Sequence, residues 1–147
     1  GVALYMEFAM GLDPCMLCMS QRFIYLGMAF MFMLAALHNP YFGGHRIYGF
    51  ILFLLSLTGL GLASRQLYLQ NLPADLVPAC GPSFSYMVDA FPFTEVLITM
   101  IKGSGSCAEV QWTFLSLSIA GWSFVLFTLL ALYCLRLAMV RTKVLLV

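Results

Sequence analysis

Charge is scarce in this chain. Asp, Glu, Lys and Arg make up 9% of its 147 residues, against about 25% in ordinary soluble proteins. The seven basic and six acidic residues nearly cancel, leaving a net charge of +1. That balance argues against a nucleic-acid partner. A second Cys-x-x-Cys and a His pair are both missing, so the four ligands of a structural zinc site are not there. Met19, not His, follows the one Cys-x-x-Cys, which excludes a haem-attachment motif. No glycine-rich nucleotide fingerprint is present, which argues against a flavin, and no metal-ligand set is visible. No basic region leads into an apolar run with a small-x-small site, so no cleavable signal peptide is visible.

What is abundant is apolar surface. The chain is 63% hydrophobic with a mean hydropathy of +0.97, the composition of an integral membrane protein. The expected architecture is an all-α, four-helix transmembrane bundle forming one membrane domain over residues 1–147. Spans are expected at about 1–12, 19–37, 47–69 and 119–140. Twelve helical residues rise only about 18 Å, short of roughly 30 Å of hydrocarbon. The first span is therefore expected to be the remainder of a helix whose start is missing. Glu7 inside it must face water or the bundle interior. His38 to Arg46 contains Pro40, Gly43 and Gly44 and reads as a tight turn. Gly59 and Ala63, four apart, offer a small-residue face to a neighbouring helix.

Arg46 in that turn and Arg136, Arg141 and Lys143 near the C-terminus lie on one side of the membrane. The positive-inside rule makes that side cytoplasmic. The long loop over 70–118 then lies outside, with Asp75, Asp89, Glu95 and Glu109. Phe84, Met87, Val88 and Phe91 follow helical apolar spacing. A second short helix is expected after a Thr94 cap, with Val96, Leu97, Met100 and Ile101 on its apolar side. These helices either lie on the membrane surface or pack onto the bundle. Trp112 and Trp122 suit an interfacial aromatic belt.

The chemistry is concentrated in Asp13-Pro14-Cys15-Met16-Leu17-Cys18-Met19-Ser20-Gln21-Arg22. Asp13 is a good N-cap and Pro14 is tolerated in a first helical turn. Residues three apart on a helix are neighbours at roughly 5–6 Å, within disulfide reach. Arg22 shares the face of Cys15 and Cys18. A helix N-terminus and a nearby Arg both favour thiolate. A reactive dithiol at the outer membrane surface follows.

Cys80 and Cys107 form a second pair in the outer loop. Gly81-Pro82 after Cys80 makes a turn, and Gly103-Ser104-Gly105-Ser106 before Cys107 reads as a flexible tether. Two readings stay open: a static loop-stapling disulfide, or a mobile pair that exchanges with Cys15 and Cys18. Cys134, deep in the last span, reads as a packing residue. A relay from an outer substrate through both pairs needs a two-electron acceptor in the lipid, and a quinone fits best.

These residues resemble the DsbB family of bacterial inner-membrane disulfide-forming oxidoreductases. The resemblance is carried by Pro14-Cys15-Met16-Leu17-Cys18 with Gln21-Arg22, by Cys80, by Gly103-Ser104-Gly105-Ser106-Cys107-Ala108-Glu109 with Trp112-Thr113-Phe114-Leu115, and by Gly121-Trp122. It implies reoxidation of a periplasmic DsbA-type thioredoxin-fold protein, with electrons passed to ubiquinone or menaquinone. It implies a mixed disulfide at Cys80, release of Cys107 to engage Cys15, and action of Cys18 at the quinone. Arg22 matches the family arginine that polarises the quinone, and Gln21 stands where some members carry Glu. Arg65 and Gln66 are further candidates for the quinone pocket. The alternatives are a structural membrane protein with two static disulfides and a vitamin K epoxide reductase-like bundle. The position of Cys-x-x-Cys before the second span favours DsbB over the latter.

Overall fold

The computed structural model describes residues 1–11, 14–38, 44–79, 81, 84–110 and 112–139. The expected cap Asp13, the turn residues 39–43, Cys80, Pro82, Arg141 and Lys143 lie outside these. Six α-helices are present among the described residues: α1 (Val2–Met10), α2 (Met16–His38), α3 (Gly44–Gln70), α4 (Phe84–Ala90), α5 (Phe93–Lys102) and α6 (Ile119–Met139). Two single turns of 3-10 helix occupy Ala74–Leu76 and Gly105–Cys107. The protein is an all-α membrane protein in which α2, α3 and α6 are each long and apolar enough to cross a bilayer. Their outer faces stay apolar: Phe23, Leu26 and Phe30 on α2, Phe50 and Leu54 on α3, and Leu129 and Leu132 on α6 are all exposed. In water such a surface would drive association, whereas in lipid it is the solvated face.

Helix α3 is central, packing on α2 and most extensively on α6. Small residues permit that approach. A Cβ on Gly59 would fall 2.3 Å from Cε1 of Phe127, and one on Gly49 would fall 2.8 Å from the Ala138 backbone nitrogen. Ala63 is fully buried beside them, so the small-residue face read from sequence is the α3–α6 contact. Tyr25 of α2 stacks on Phe127 with ring centroids 4.3 Å apart. Cys134 is buried in this same cluster with Met28, Leu52 and Ala63, as a packing residue. The antiparallel α3–α6 register puts Arg46 and Arg136 at one end and Gln70 and Ser118 at the other. At that second end the Ser118 hydroxyl donates to Gln70 Oε1 at 2.8 Å and accepts the Gly121 N–H at 3.3 Å, capping α6.

The loop folds back on the bundle. Helix α5 begins after Pro92, which occupies the N-cap position with no side-chain cap bond, so Thr94 is not the cap. A proline there costs nothing because the early N–H groups of a helix lack partners anyway. Val96 and Met100 pack into a cluster with Met16, Leu17, Leu69, Met87 and Cys107. Leu97 and Ile101 face outward, so half of the expected stripe packs on the bundle. The Ser20 hydroxyl bridges the Met16 and Met100 carbonyls at 3.0 and 2.9 Å, tying α5 to α2. Thr113–Phe114 and Leu117–Ser118 form a two-residue antiparallel hairpin. Its turn holds Leu115 and Ser116 at φ 52° and 65°, the left-handed pair that hairpin twist requires. Trp122 Nε1 donates to the Phe114 carbonyl at 3.1 Å.

Candidate functional site: a three-thiol cluster at the head of the second helix

Cys15 stands immediately before α2 and bonds its first turn. Its carbonyl accepts the Met19 N–H at 3.0 Å and its sulfur accepts the Cys18 N–H at 3.4 Å. This places the Cys15 side chain against the positive end of the helix dipole. Cys18, one turn in, lies with its Sγ 3.0 Å from that of Cys15. The two are free thiols, about 1 Å from bonding distance.

The third sulfur comes from the loop. Cys107 is fully buried in a cluster against which Cys15 packs. What precedes it is a packed turn, not a loose tether. Gly103 has φ 76°, and a Cβ there would lie 2.7 Å from a Leu17 methyl and 2.9 Å from a Leu69 methyl. The Gly105 N–H donates to the Ala79 carbonyl at 3.1 Å and the Cys107 N–H to the Ser104 carbonyl at 2.9 Å. Glycine makes the run fold tightly here because its missing Cβ lets the backbone lie on α2 and α3. The Ala79 bond, with Gly81 close to Ser104, brings the chain on both sides of Cys80 to this turn.

Electrostatics separate the two outer thiols. Cys107 is lowered to about 6, first by the Cys15 hydrogen bond and then, against the cost of burial, by the backbone N–H groups of Leu17 and Ser104. Cys15 is pushed up, first by its bond to Cys107, then by Cys18 and burial. Cys15 is thereby held as a thiol, and its S–H donates to Cys18. The Leu17 N–H is one of the orphan donors of a first helical turn, so α2 supplies charge stabilisation to a sulfur from another segment.

A buried amide pair completes the cluster. Gln66 of α3 donates its side-chain N–H to Cys18 Sγ at 3.2 Å and lies 3.6 Å from Cys15 Sγ. Its Oε1 accepts from Gln21 Nε2 at 2.9 Å. Arg22 is ion-paired with Glu7 of α1, which partners the acidic residue expected to need water or a bundle-facing site. Arg65 is turned to the surface, donating to the Lys102 carbonyl at 3.3 Å and lying over the Tyr68 ring. Of the eight residues proposed from sequence, Cys15, Cys18, Cys107, Gln66 and Gln21 thus form one contact network. Arg22 stands a turn further along α2, Arg65 is outside the network, and Cys80 is outside the described residues.

A cavity of about 30 Å³ opens beside Cys15 and Cys18, walled by Gln66, Gln70, Ser106, Glu109, Trp112 and Ser118. It has room for water at the thiols. Glu109, Ser106 and Gln70 were not singled out from sequence as site residues. The position of Glu109 two residues after Cys107 was the available signal. No group of three or more His, Cys, Asp or Glu arranged to hold a metal ion occurs among the described residues.

The fold and this cluster define an all-α membrane protein built around a cluster of thiols. The family model described as disulfide bond formation protein DsbB matches residues 1–137, and the chain belongs to the DsbB family. Disulfide bond formation protein B of Hahella chejuensis is 54% identical over 127 residues, covering 86% of this chain and 77% of that protein. The protein of the same name from Marinobacter nauticus is 55% identical over 129 residues, covering 88% and 77%. No solved structure gives a significant match. Membership makes this a membrane protein of disulfide bond formation.

Proposed function

We propose that this chain reoxidises a periplasmic DsbA-type thioredoxin-fold protein and passes the electrons to a membrane quinone, ubiquinone or menaquinone. In this reading it is a single multi-pass domain over 1–147 in the bacterial inner membrane. Its helices make a four-helix bundle, with residues 1–12 contributing the first span, and the loop over 70–118 faces the periplasm. Basic residues at the Arg46–Arg136 end and thiols at the other support that orientation. The observation that carries the reading is the grouping of three thiols, with Cys107 buried in the cluster against which Cys15 packs and Cys15 Sγ 3.0 Å from Cys18 Sγ.

The chemistry follows from that grouping. A reduced partner attacks the Cys80–Cys107 disulfide at Cys80, forming a mixed disulfide and releasing Cys107 as a thiolate. Its low pKa makes it a good leaving group. Cys107 then attacks Cys15 of the Cys15–Cys18 disulfide, and Cys18 leaves carrying the electron pair. The partner's second thiol resolves the mixed disulfide at Cys80, and Cys80 then attacks Cys107, restoring Cys80–Cys107 and releasing Cys15 beside Cys18, so two electrons and two protons pass from the partner to the Cys15–Cys18 pair. A bound quinone would supply the matching two-electron, two-proton acceptor.

The donor chemistry suits such a group. Arg22 and Gln66 present N–H donors near Cys18, of the kind that carbonyl oxygens accept, and lipid-exposed Phe23 and Leu26 lie beside Arg22 on α2. Gln21, bonded to Gln66, is a further candidate, and Arg65, next to Gln66 in sequence, would have to turn in from the surface to join them. The test is the loss of quinone absorbance on adding a reduced DsbA-type protein to intact chain and to Cys18→Ser. Reduction by the intact chain alone is the expected result. Equal reduction by both would remove Cys18 from the path, and reduction by neither would favour static disulfides.

A further inference from the structure

The buried Gln21–Gln66 pair calls for a role of its own. Both side chains are about 3% exposed, and a buried amide is retained at a cost unless its hydrogen bonds are made. Gln66 spends its carbonyl on Gln21 and its N–H group on sulfur. That division leaves the Gln66 amide nitrogen aimed at the dithiol, with Cys18 the nearer acceptor and Cys15 the farther. The two glutamines come from different helices, so the amide is fixed by the α2–α3 packing and not by a flexible loop. No other side-chain amide among the described residues is bonded to these sulfurs.

Resting on the reading above, we propose that Gln66, aimed by Gln21, is a positioning residue that stabilises the reduced Cys15–Cys18 pair and marks Cys18 as the electron-bearing sulfur. The physical basis is differential hydrogen bonding. A thiol or thiolate sulfur accepts an N–H far better than a disulfide sulfur does, because the negative charge it can carry is lost when the S–S bond forms. The bond therefore favours the reduced pair over the oxidised pair. A more stable reduced form makes a dithiol couple more oxidising, which is the direction needed to draw electrons from Cys107. The same amide acts on one sulfur more than the other, so the leaving sulfur in the exchange is the one already solvated by a fixed donor.

The test is the equilibrium between the Cys15–Cys18 disulfide and glutathione, in full-length membrane-embedded chain without added quinone. In that equilibrium the S–S bond breaks, two glutathione thiols give up two electrons and two protons, and glutathione disulfide forms. All samples carry Cys107→Ser so that only one pair is read, by differential alkylation of Cys15 and Cys18. Gln66→Met keeps the length and helix preference of the side chain and removes the donor. The expected result is a shift of about tenfold toward the disulfide, equivalent to about 30 mV. Gln66→Glu, which turns a carboxylate toward the sulfurs, shifts it at least as far in the same direction.

An unchanged constant in folded Gln66→Met overturns the proposal. If that variant fails to fold, Gln21→Leu is read instead, since it leaves the Gln66 amide in place without the bond that aims it. A wild-type constant there overturns the proposal equally. The outcome is separable from the proposed function. An unchanged constant with Cys18-dependent quinone reduction intact removes only the role of Gln66. A shifted constant in a chain that reduces no quinone removes the acceptor and leaves the role of Gln66 standing.

Discussion

Arg22 and Glu7 are ion-paired, and this contact joins α1 to the turn of α2 just beyond Cys18. The pair is partly exposed, with side-chain exposures of 23% and 29%, so its worth in stability is modest, on the order of 1 kcal/mol. Its worth to activity is expected to be larger if Arg22 also polarises the electron acceptor. Arg22→Ala should lower quinone reduction by about tenfold or more, the range of a charge-assisted hydrogen bond, while thermal unfolding shifts by only a few degrees. Glu7→Gln keeps the guanidinium and should cost much less activity. Paired measurements of turnover and unfolding temperature check this, and equal proportional losses in Arg22→Ala would reduce Arg22 to a structural role.

Cys18→Ser should abolish quinone reduction yet still allow a mixed disulfide with a reduced partner at Cys80. The two functions are separable because Cys18 contacts Cys15 on α2, whereas Cys107 lies in the buried cluster against which Cys15 packs. Trapping with a partner that lacks its resolving thiol, followed by non-reducing electrophoresis, reads the first half of the exchange. Quinone absorbance reads the second. A Cys18→Ser chain with unimpaired turnover would break the proposed order.

Much of this arrangement was legible in the sequence, for physical reasons that differ by element. The three long helices were readable because lipid demands long apolar runs, and the observed Met16–His38, Gly44–Gln70 and Ile119–Met139 exceed or fall short of the expected spans by three residues or fewer at each end. The Gly59–Ala63 face was readable because close helix approach needs small side chains. The bond from the Cys18 N–H to the Cys15 sulfur was not, since a sulfur competes poorly for N–H groups. The packing of the Gly103–Ser106 run was hidden because glycine and serine look alike in a loose linker and in a tight turn. The bond from Gln66 to Cys18 joins positions 48 apart, and nothing local to either residue announces it.

The α3–α6 contact yields a stability prediction independent of redox chemistry. A Cβ at Gly59 would overlap the Phe127 ring at 2.3 Å, so Gly59→Ala must push that ring off Tyr25 or part the helices. Overpacking of this kind costs about 1–3 kcal/mol. The companion change Phe127→Leu should cost stability alone, through the lost stack at 4.3 Å, yet recover part of the loss when combined with Gly59→Ala. A double-mutant cycle by thermal unfolding in detergent measures the coupling. Strict additivity would mean that the two helices already separate at this level.

The lowered pKa of Cys107 gives a pH dependence with a definite sign. Its thiol has an ordinary value near 9 and is lowered to about 6 in the folded chain. A group depressed on folding adds stability above its unfolded value and loses that contribution as pH falls through its folded value. The reduced chain should therefore gain stability as pH rises from about 6 toward 9, above which the raised Cys15, still protonated in the folded chain, takes stability away. In Cys107→Ser this rise should be largely absent. The same titration fixes the exchange rate, because only the thiolate attacks. In the chain reduced at all thiols, the ultraviolet thiolate absorbance lost on Cys107→Ser substitution should titrate with a midpoint near 6. Gly103→Ala offers the structural control. Its φ of 76° and the Leu17 and Leu69 methyls at 2.7 and 2.9 Å leave no room for a Cβ, so the turn must move and carry Cys107 off Cys15 and the Leu17 N–H. The midpoint should then climb back toward 9, while folded α2, α3 and α6 keep their helical signal. A midpoint near 9 in the wild-type chain would mean that Cys107 does not rest on the head of α2 in the reduced protein, and the grouping of three thiols would lose its third member.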